Sequence, residues 1–151
     1  MYRRILVALD HTTADHALLT HVSELAAITK SALLLVHVAD GWVARNFDQL
    51  NLADSEEMRD DWRRLEETAT RLRNERGVTV ETRLALGNPP EQILKVADAE
   101  KVDLIAMASH GHRLVADILY GSTIDSVRHG ARVPIVVVPV QKERSTETKQ
   151  M

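Results

Sequence analysis

The sequence predicts an α/β protein built on a single doubly wound, Rossmann-like sheet of five parallel strands in the order 3-2-1-4-5, with helices on both faces. Short apolar runs without polar alternation recur along the chain, the pattern of strands buried on both faces. Amphipathic stretches separate these runs, and repeated strand, helix, strand units with right-handed crossovers give a parallel sheet. The length of 151 residues leaves room for one domain.

The five candidate strands are rich in Val, Ile or Leu and end at polar or turn residues. They are Ile5–Leu9, Ala32–Val38, Val78–Leu86, Val102–Ala108 and Val133–Val138. The third alternates apolar and polar residues, which is typical of a strand near a sheet edge. The last is an apolar run that we also expect at an edge, where natural proteins normally cover the backbone.

Four helices have recognisable starts or ends. Thr12 opens the first, and Asp15 completes a capping box. The second covers Ser55–Arg76, with apolar residues every three or four positions and Gly77 as its C-cap. Asn88 caps the third, with proline at the first helical position. A short fourth helix is expected from Ser122 to His129.

Two segments fit no element. Asp40–Asp54 contains Trp42 and Phe47 and is expected to form a long insertion after the second strand, either a functional lid or a packed surface loop. The polar tail from Gln141 to Met151 is expected to be disordered, which leaves residues 1–140 as the domain.

Composition and charge exclude several function classes. Nineteen Lys and Arg residues against 22 Asp and Glu give a net charge of -3, without the basic excess that nucleic-acid binding requires. The absence of cysteine excludes disulfides, thiolate metal sites and cysteine nucleophiles. No apolar run is long enough for a signal-peptide core or a membrane helix, so a cytoplasmic protein is expected.

The loops after the first and fourth strands are the expected ligand site. Ligands of open α/β sheets bind beyond the carboxyl ends of the strands, where the strand order reverses. The segments Asp10–Thr13 and Ala108–Gly111 should therefore face each other across a crevice. Neither contains a glycine-rich dinucleotide turn or a P-loop, which disfavours dehydrogenases and P-loop NTPases.

Gly121 and Ser122 are expected to open the last helix, whose backbone N–H groups would form an anion site. Ser122 could donate its hydroxyl to a phosphate. Alternatively it caps the helix, with Asp125 completing a capping box, and the two roles are compatible.

The chain resembles the universal stress proteins of the UspA type. The matching segments are Arg3–Asp10, Leu33–Val38, Val102–Gly111, Gly121–Thr123 and Val133–Pro139. ATP-binding members carry glycine, two residues, glycine, nine residues, glycine and then Ser or Thr. Gly111, Gly121 and Ser122 fit this pattern, whereas Ala108 replaces the first glycine.

The resemblance implies a homodimeric stress-response module that binds ATP or a related adenine nucleotide and hydrolyses it slowly at most. Asp10 and the backbone of Val38 would hold ribose and adenine. The remaining implied site residues are Ala8, Leu9, Met107, Ala108, His110, Gly111, Gly121, Ser122 and Thr123. Mg²⁺ or Mn²⁺ would be held through the phosphates.

Three further expectations follow from the resemblance. The last strand would form the homodimer interface around Val136 and Val138. The level of bound nucleotide would act through an unidentified protein partner. The alternative is a family member that binds no nucleotide and acts by dimerisation and protein–protein interaction. An adenylyl-transferring enzyme on the same fold is disfavoured, because the signature turn of such enzymes is missing after the first strand.

Seven histidines raise a metal hypothesis that the spacing does not favour. His11, His16 and His21 lie five residues apart and do not stack as a zinc-binding pair, so we expect them to be exposed or capping. His37 is expected to be a hydrogen-bonded core residue, and His110 either contacts phosphate or shapes its turn. The mixed charges between residues 56 and 67 indicate a solvated helix face. No metal ligands and no catalytic residues are assigned.

Overall fold

A parallel sheet of five strands forms the centre of the chain in a computed structural model, which describes residues 1–40, 52–109 and 114–140. The strands are β1 (Arg4–Leu9), β2 (Ala32–Asp40), β3 (Val80–Gly87), β4 (Leu104–Ser109) and β5 (Ile135–Pro139). The helices are α1 (Ala14–Thr29), α2 (Leu52–Arg76), α3 (Pro89–Ala99) and α4 (Leu114–Gly130). None of the helices in these ranges is long and apolar enough to cross a membrane.

The strand order is β3-β2-β1-β4-β5, as the sequence predicts. β1 pairs in parallel with β2 on one side, from Arg4 opposite Ala32 to Leu9 opposite His37. On its other side β1 pairs with β4, with Ile5 opposite Leu104. β3 and β5 are the two edge strands, which confirms the prediction from the alternating pattern of the third run.

Strand alternation distributes the apolar side chains over two cores, one on each face of the sheet. On the first face, strand residues such as Val7 and Leu35 pack with Leu18 and Val22 of α1 and Leu65 of α2. The second core joins the intervening strand residues to α3 and α4: Leu6, Leu34, Val36, Ile105, Met107, Ile93, Val96 and Val127. All of these side chains are less than one-tenth exposed.

Two helix boundaries differ from the sequence prediction. α4 begins at Leu114 rather than Ser122, so Gly121 and Ser122 lie inside the helix and do not open it. The residues from Leu114 to Tyr120 contain no helix breaker, and helical continuity overrides the local start signal of Ser122. α2 begins at Leu52, three residues before Ser55, and β2 runs through Asp40. The remainder of the predicted insertion, residues 41–51, and the predicted tail lie outside the described residues.

Asn88 caps α3 as predicted, and its side chain accepts a hydrogen bond from the backbone N–H of Glu91 at 3.3 Å. The first helical residue, Pro89, needs no partner for its nitrogen. This cap fixes the start of α3 directly after the carboxyl end of β3.

Replacing the cap should destabilise the fold by a predictable amount. Asn88→Ala removes the acceptor for the Glu91 N–H, and we expect the free energy of unfolding to fall by about 1 kcal/mol in urea denaturation. Asn88→Asp, which keeps an acceptor, should lose much less. Asn74→Ala, an exposed change inside α2, is the matched control; an equal loss in both alanine variants would contradict the capping role.

Candidate functional site

The carboxyl ends of β1, β2 and β4 enclose a cavity of about 220 Å³. α3 and α4 close its other side. The lining residues are Ala8, Leu9, Asp10, Asp15, Val36, His37, Val38, Pro89, Ile93, Met107, Ala108, Thr123 and Ile124. The cavity therefore lies where the strand order reverses between β1 and β4, the position expected for a ligand in this architecture.

Most of the cavity wall is apolar. Ala8, Val38 and Ile124 belong to the partly buried side chains that pack on the α3/α4 core. Asp10 after β1, Asp15 of α1 and Thr123 of α4 add polar groups to the wall. An apolar slot with a few convergent polar groups is the usual form of a small-molecule site.

β2 extends past the end of β1 at this cavity. The β1–β2 pairing stops at Leu9 opposite His37, whereas β2 continues to Asp40 beside β3. The backbone of Val38 therefore lies beyond the last residue of β1, on the cavity wall.

The loop after β1 is held by two aspartates. Asp10 Oδ1 accepts hydrogen bonds from the backbone N–H and the hydroxyl of Thr12, at 3.1 and 2.6 Å. Asp15 Oδ1 and Oδ2 accept from the backbone N–H groups of Asp10 and His11, at 3.1 and 2.9 Å. Asp15 thus turns back to the strand end, and Thr13, the residue before α1, makes no side-chain cap. These contacts hold His11 at a φ of 60°, which few non-glycine residues adopt.

Burial raises the pKa of Asp15 from 3.8 to about 7. The nearby Asp10 carboxylate adds to this rise through repulsion and a shared hydrogen bond, while the backbone N–H groups of Asp10 and His11 oppose it. The carboxyl group of Asp15 therefore keeps its proton up to a pH close to neutral.

The structure brings seven of the implied nucleotide residues together on the cavity wall: Ala8, Leu9, Asp10, Val38, Met107, Ala108 and Thr123. Ser122 is exposed one residue before Thr123, inside α4. The prediction that Gly121 and Ser122 open the helix is therefore wrong, and phosphate binding by these residues stays a prediction. Asp125, expected in a capping box, instead accepts a hydrogen bond from Arg128 at 2.6 Å. His110 and Gly111 lie outside the described residues.

Sequence reasoning missed six residues of the cavity wall: Asp15, Val36, His37, Pro89, Ile93 and Ile124. The sequence placed them in a buried strand, at a helix start or within a helix, and not at a ligand site. The amphipathic pattern of α3 and α4 does show that these helices pack on the sheet. It does not show which turn reaches the strand ends.

A second group of polar side chains lies on the opposite face of the sheet. His11 and His37 stack with their ring centroids 3.8 Å apart and tilted by 32°. Asp61 of α2 faces both rings, with Oδ1 3.8 Å from His11 Nε2 and Oδ2 3.8 Å from His37 Nε2. The expectation that His11 is exposed is wrong, because its side chain is only 11% exposed. Asp61, which the sequence places on a solvated helix face, is also largely buried, with a side chain that is 21% exposed.

His37 is hydrogen-bonded as predicted: its Nδ1 lies 3.0 Å from the carbonyl oxygen of Leu9. Burial lowers the pKa of His11 to about 4, and the neighbouring His37 and Arg64 add to the lowering, while Asp61 and Asp10 oppose it. The His11 imidazole is therefore neutral at pH 7.

Comparison with known proteins identifies one family. The model of the universal stress protein family matches residues 1–139. The universal stress protein MJ0577 of Methanocaldococcus jannaschii is 28% identical over 154 residues, which cover 91% of this chain and 95% of that protein. Its solved structure superposes with a TM-score of 0.73 at 26% identity, over 94% of this chain and 99% of that one.

Two structures with bound nucleotides share the fold. A universal stress protein in complex with cAMP has a TM-score of 0.70 at 18% identity, covering 93% of this chain and 98% of that one. The universal stress protein of Archaeoglobus fulgidus in complex with dAMP has a TM-score of 0.66 at 21% identity, covering 91% and 98%.

The raised pKa of Asp15 predicts a pH dependence of stability that Asp15→Asn removes. The folded chain keeps the proton up to a pKa of about 7, whereas the ordinary value is 3.8, so folding takes up a proton between these values. The contribution of Asp15 to the free energy of unfolding is therefore full below about pH 4 and is lost as the pH rises through about 7.

We expect the wild type to lose stability relative to Asp15→Asn when urea denaturation is moved from pH 5 to pH 8. All other titrating groups occur in both proteins, and their effects largely cancel in the difference. A difference in unfolding free energy that is the same at both pH values would contradict the raised pKa.

Proposed function

The chain belongs to the universal stress protein family, and from this premise we propose that it binds an adenine nucleotide in the cavity at the carboxyl ends of β1, β2 and β4. One observation carries the proposal: seven residues that the family resemblance implies for nucleotide binding all line this cavity. The cAMP and dAMP complexes of structurally similar family members support an adenine nucleotide as the ligand class.

The base would lie in the apolar part of the cavity. Ala8 of β1 and Val38 of β2 form one wall, and Ile124 of α4 contributes to the opposite side. The backbone of Val38, beyond the last paired residue of β1, would hydrogen-bond the adenine edge. Asp10 would accept a hydrogen bond from a ribose hydroxyl, because it lines the same cavity and a carboxylate accepts hydrogen bonds.

The methyl group of Ala108, where ATP-binding relatives carry glycine, is compatible with this placement. Strand alternation puts Met107 in the α3/α4 core that borders the cavity. The next side chain, Ala108, packs against the core on the α1/α2 face. Ala108 therefore borders the cavity while its methyl group is directed toward α1 and α2, and we expect the substitution to be tolerated.

A divalent cation would be held through the phosphates, as Mg²⁺ or Mn²⁺. Asp15 uses both carboxylate oxygens for backbone N–H groups, and Asp10 Oδ1 accepts from Thr12. Binding and signalling, with slow hydrolysis at most, is the proposed activity of a cytoplasmic module.

The edge strand β5 would pair with a second copy of the chain. β5 neighbours only β4 in the sheet. Val136 and Val138 pack against the α1/α2 core, while Val137 between them is 41% exposed. An apolar edge strand with this pattern favours a homodimer, through which a bound nucleotide would influence an unidentified protein partner.

Filling the cavity should weaken nucleotide binding without loss of the fold. Ala8→Leu adds three carbon atoms to the apolar wall that the base would contact. We expect calorimetry with ATP, ADP, AMP and cAMP, with and without Mg²⁺, to give micromolar or tighter binding of at least one nucleotide to the wild type. Binding by Ala8→Leu should be at least about tenfold weaker, because overpacking displaces the ligand.

Ala27→Leu is the matched control, because it makes the same chemical change at an exposed position of α1. Circular dichroism should show that both variants fold. The absence of binding to the folded wild type at millimolar nucleotide would refute the proposal and favour the alternative member that acts without nucleotide.

The dimer should be sensitive to charge on β5. We expect size-exclusion chromatography with light scattering to give twice the chain mass of 16.9 kDa for the wild type. Val137→Lys should shift the protein toward the monomer, because lysine on an edge strand opposes pairing. Ile28→Lys, at an 81% exposed position of α1, is the control. A wild-type monomer at micromolar concentration would refute the dimer.

A further inference from the structure

Three side chains of types that can bind metals come together near the loop after β1, although they belong to separate parts of the chain. His11 follows β1, His37 lies in β2 and Asp61 lies in α2. One potential ligand atom from each lies within 4.8 Å of the others. The group is partly buried, with side-chain exposures of 11%, 12% and 21% respectively.

His37 is oriented as metal-binding histidines usually are. A carbonyl oxygen only accepts hydrogen bonds, so the contact of His37 Nδ1 with Leu9 O at 3.0 Å places the proton of the neutral ring on Nδ1. The lone pair of the neutral ring is then on Nε2, which faces Asp61. A backbone acceptor on the outer nitrogen is the arrangement that fixes the tautomer of histidine ligands.

His11 contributes a buried nitrogen that the described residues leave without a hydrogen bond. Its Nε2 has no hydrogen-bond partner within those ranges, and Asp61 Oδ1 is 3.8 Å away. Burying a polar atom without a partner is costly, and native proteins usually satisfy such atoms. An ion between Nε2 and the carboxylate would satisfy both groups.

We propose that His11, His37 and Asp61 form a binding site for a divalent transition-metal ion, with Zn²⁺ as the best match. Two imidazoles and one carboxylate are a donor set that zinc accepts, whereas Mg²⁺ and Ca²⁺ prefer oxygen ligands. Bonds of about 2.0 Å at tetrahedral angles place ligands about 3.3 Å apart. The two histidine–carboxylate separations of 3.8 Å need to close by about half an ångström, and the separation of the two histidine nitrogens, which is within 4.8 Å, by up to about 1.5 Å.

Space for a solvent ligand lies beside one of the three side chains. A second, more open cavity of about 410 Å³ adjoins His11 and is lined by His11, Thr12, Asp15, Arg64, Glu67, Thr68 and Arg71. Zinc sites with three protein ligands commonly keep a water molecule at the remaining position. Arg64 opposes a cation electrostatically, but it is exposed and its side chain is free to extend into solvent.

The zinc site adjoins the nucleotide cavity, because His37 also borders that cavity, but His11 and Asp61 are not among the cavity's lining residues. Val36 and Val38 belong to the α3/α4 side of the sheet, and His37 between them points toward α1 and α2 by strand alternation. Binding of Zn²⁺ to the nucleotide-free protein therefore does not depend on the proposed function.

The decisive experiment measures Zn²⁺ binding to the untagged, chelator-treated full chain without nucleotide. Competition with a chromophoric chelator should show one high-affinity equivalent per chain, and Mg²⁺ should not compete. Co²⁺ should give the intense visible absorption of a four-coordinate site. In nitrogen-15 NMR of the wild type, Zn²⁺ should shift Nε2 of His11 and His37 and leave His16 and His21 unchanged.

Single variants should each weaken Zn²⁺ binding at least about tenfold: His11→Gln, His37→Gln and Asp61→Asn. The matched controls His16→Gln, His21→Gln and Asp60→Asn change exposed groups of the same type and should bind as the wild type does. Asp61→Asn lies on a helix surface and is expected to fold even if a histidine variant does not.

The absence of stoichiometric Zn²⁺ binding by the folded wild type at about 100 micromolar metal would overturn the proposal, since an affinity weaker than this is typical of scattered surface ligands. NMR shifts at His16 or His21 instead of His11 and His37 would overturn it as well, because they would place the ion on the exposed face of α1.

Discussion

The pairing of β1 on both of its sides determines where the rest of the molecule can act. β1 lies between β2 and β4, so the chain reaches β2 by a crossover on one face of the sheet and β4 by a crossover on the other. The helices that follow the carboxyl ends of β1 and β4 therefore lie on opposite faces of the sheet. A cavity remains between these two strand ends, and side chains of α3 and α4 border it. The cavity is a consequence of strand order rather than of any single motif.

Strand alternation in β2 divides this end of the sheet into two chemical environments. Val36 and Val38 face the cavity beside α3 and α4, and His37 faces Asp61 and His11 on the other side. Asp15 lines both cavities and holds the turn between them through the backbone of Asp10 and His11. The same carboxyl group thus shapes the proposed ribose end and the position of His11.

The parts of the structure that depend on local patterns could be predicted from the sequence. The five strands and the Asn88 cap follow from apolar runs and residue preferences near the helix start, and the parallel sheet follows from the repeated strand, helix, strand units. The start of α4 could not, because the signal of Gly121 and Ser122 competes with a longer helical stretch whose stability comes from continuity. The group of His11, His37 and Asp61 could not either, because strand register and the docking of α2 set their distances.

The proposed function depends on binding of an adenine nucleotide where the strand order reverses, between β1 and β4. Titration of nitrogen-15-labelled protein with ATP and Mg²⁺, followed by backbone amide NMR, tests it most directly because it locates the ligand as well as detecting it. We expect saturable shifts at Leu9, Asp10, Val38, Ala108 and Thr123, with α1 beyond its first turn unchanged. Unchanged spectra at millimolar ATP, or shifts confined to another surface, would contradict it.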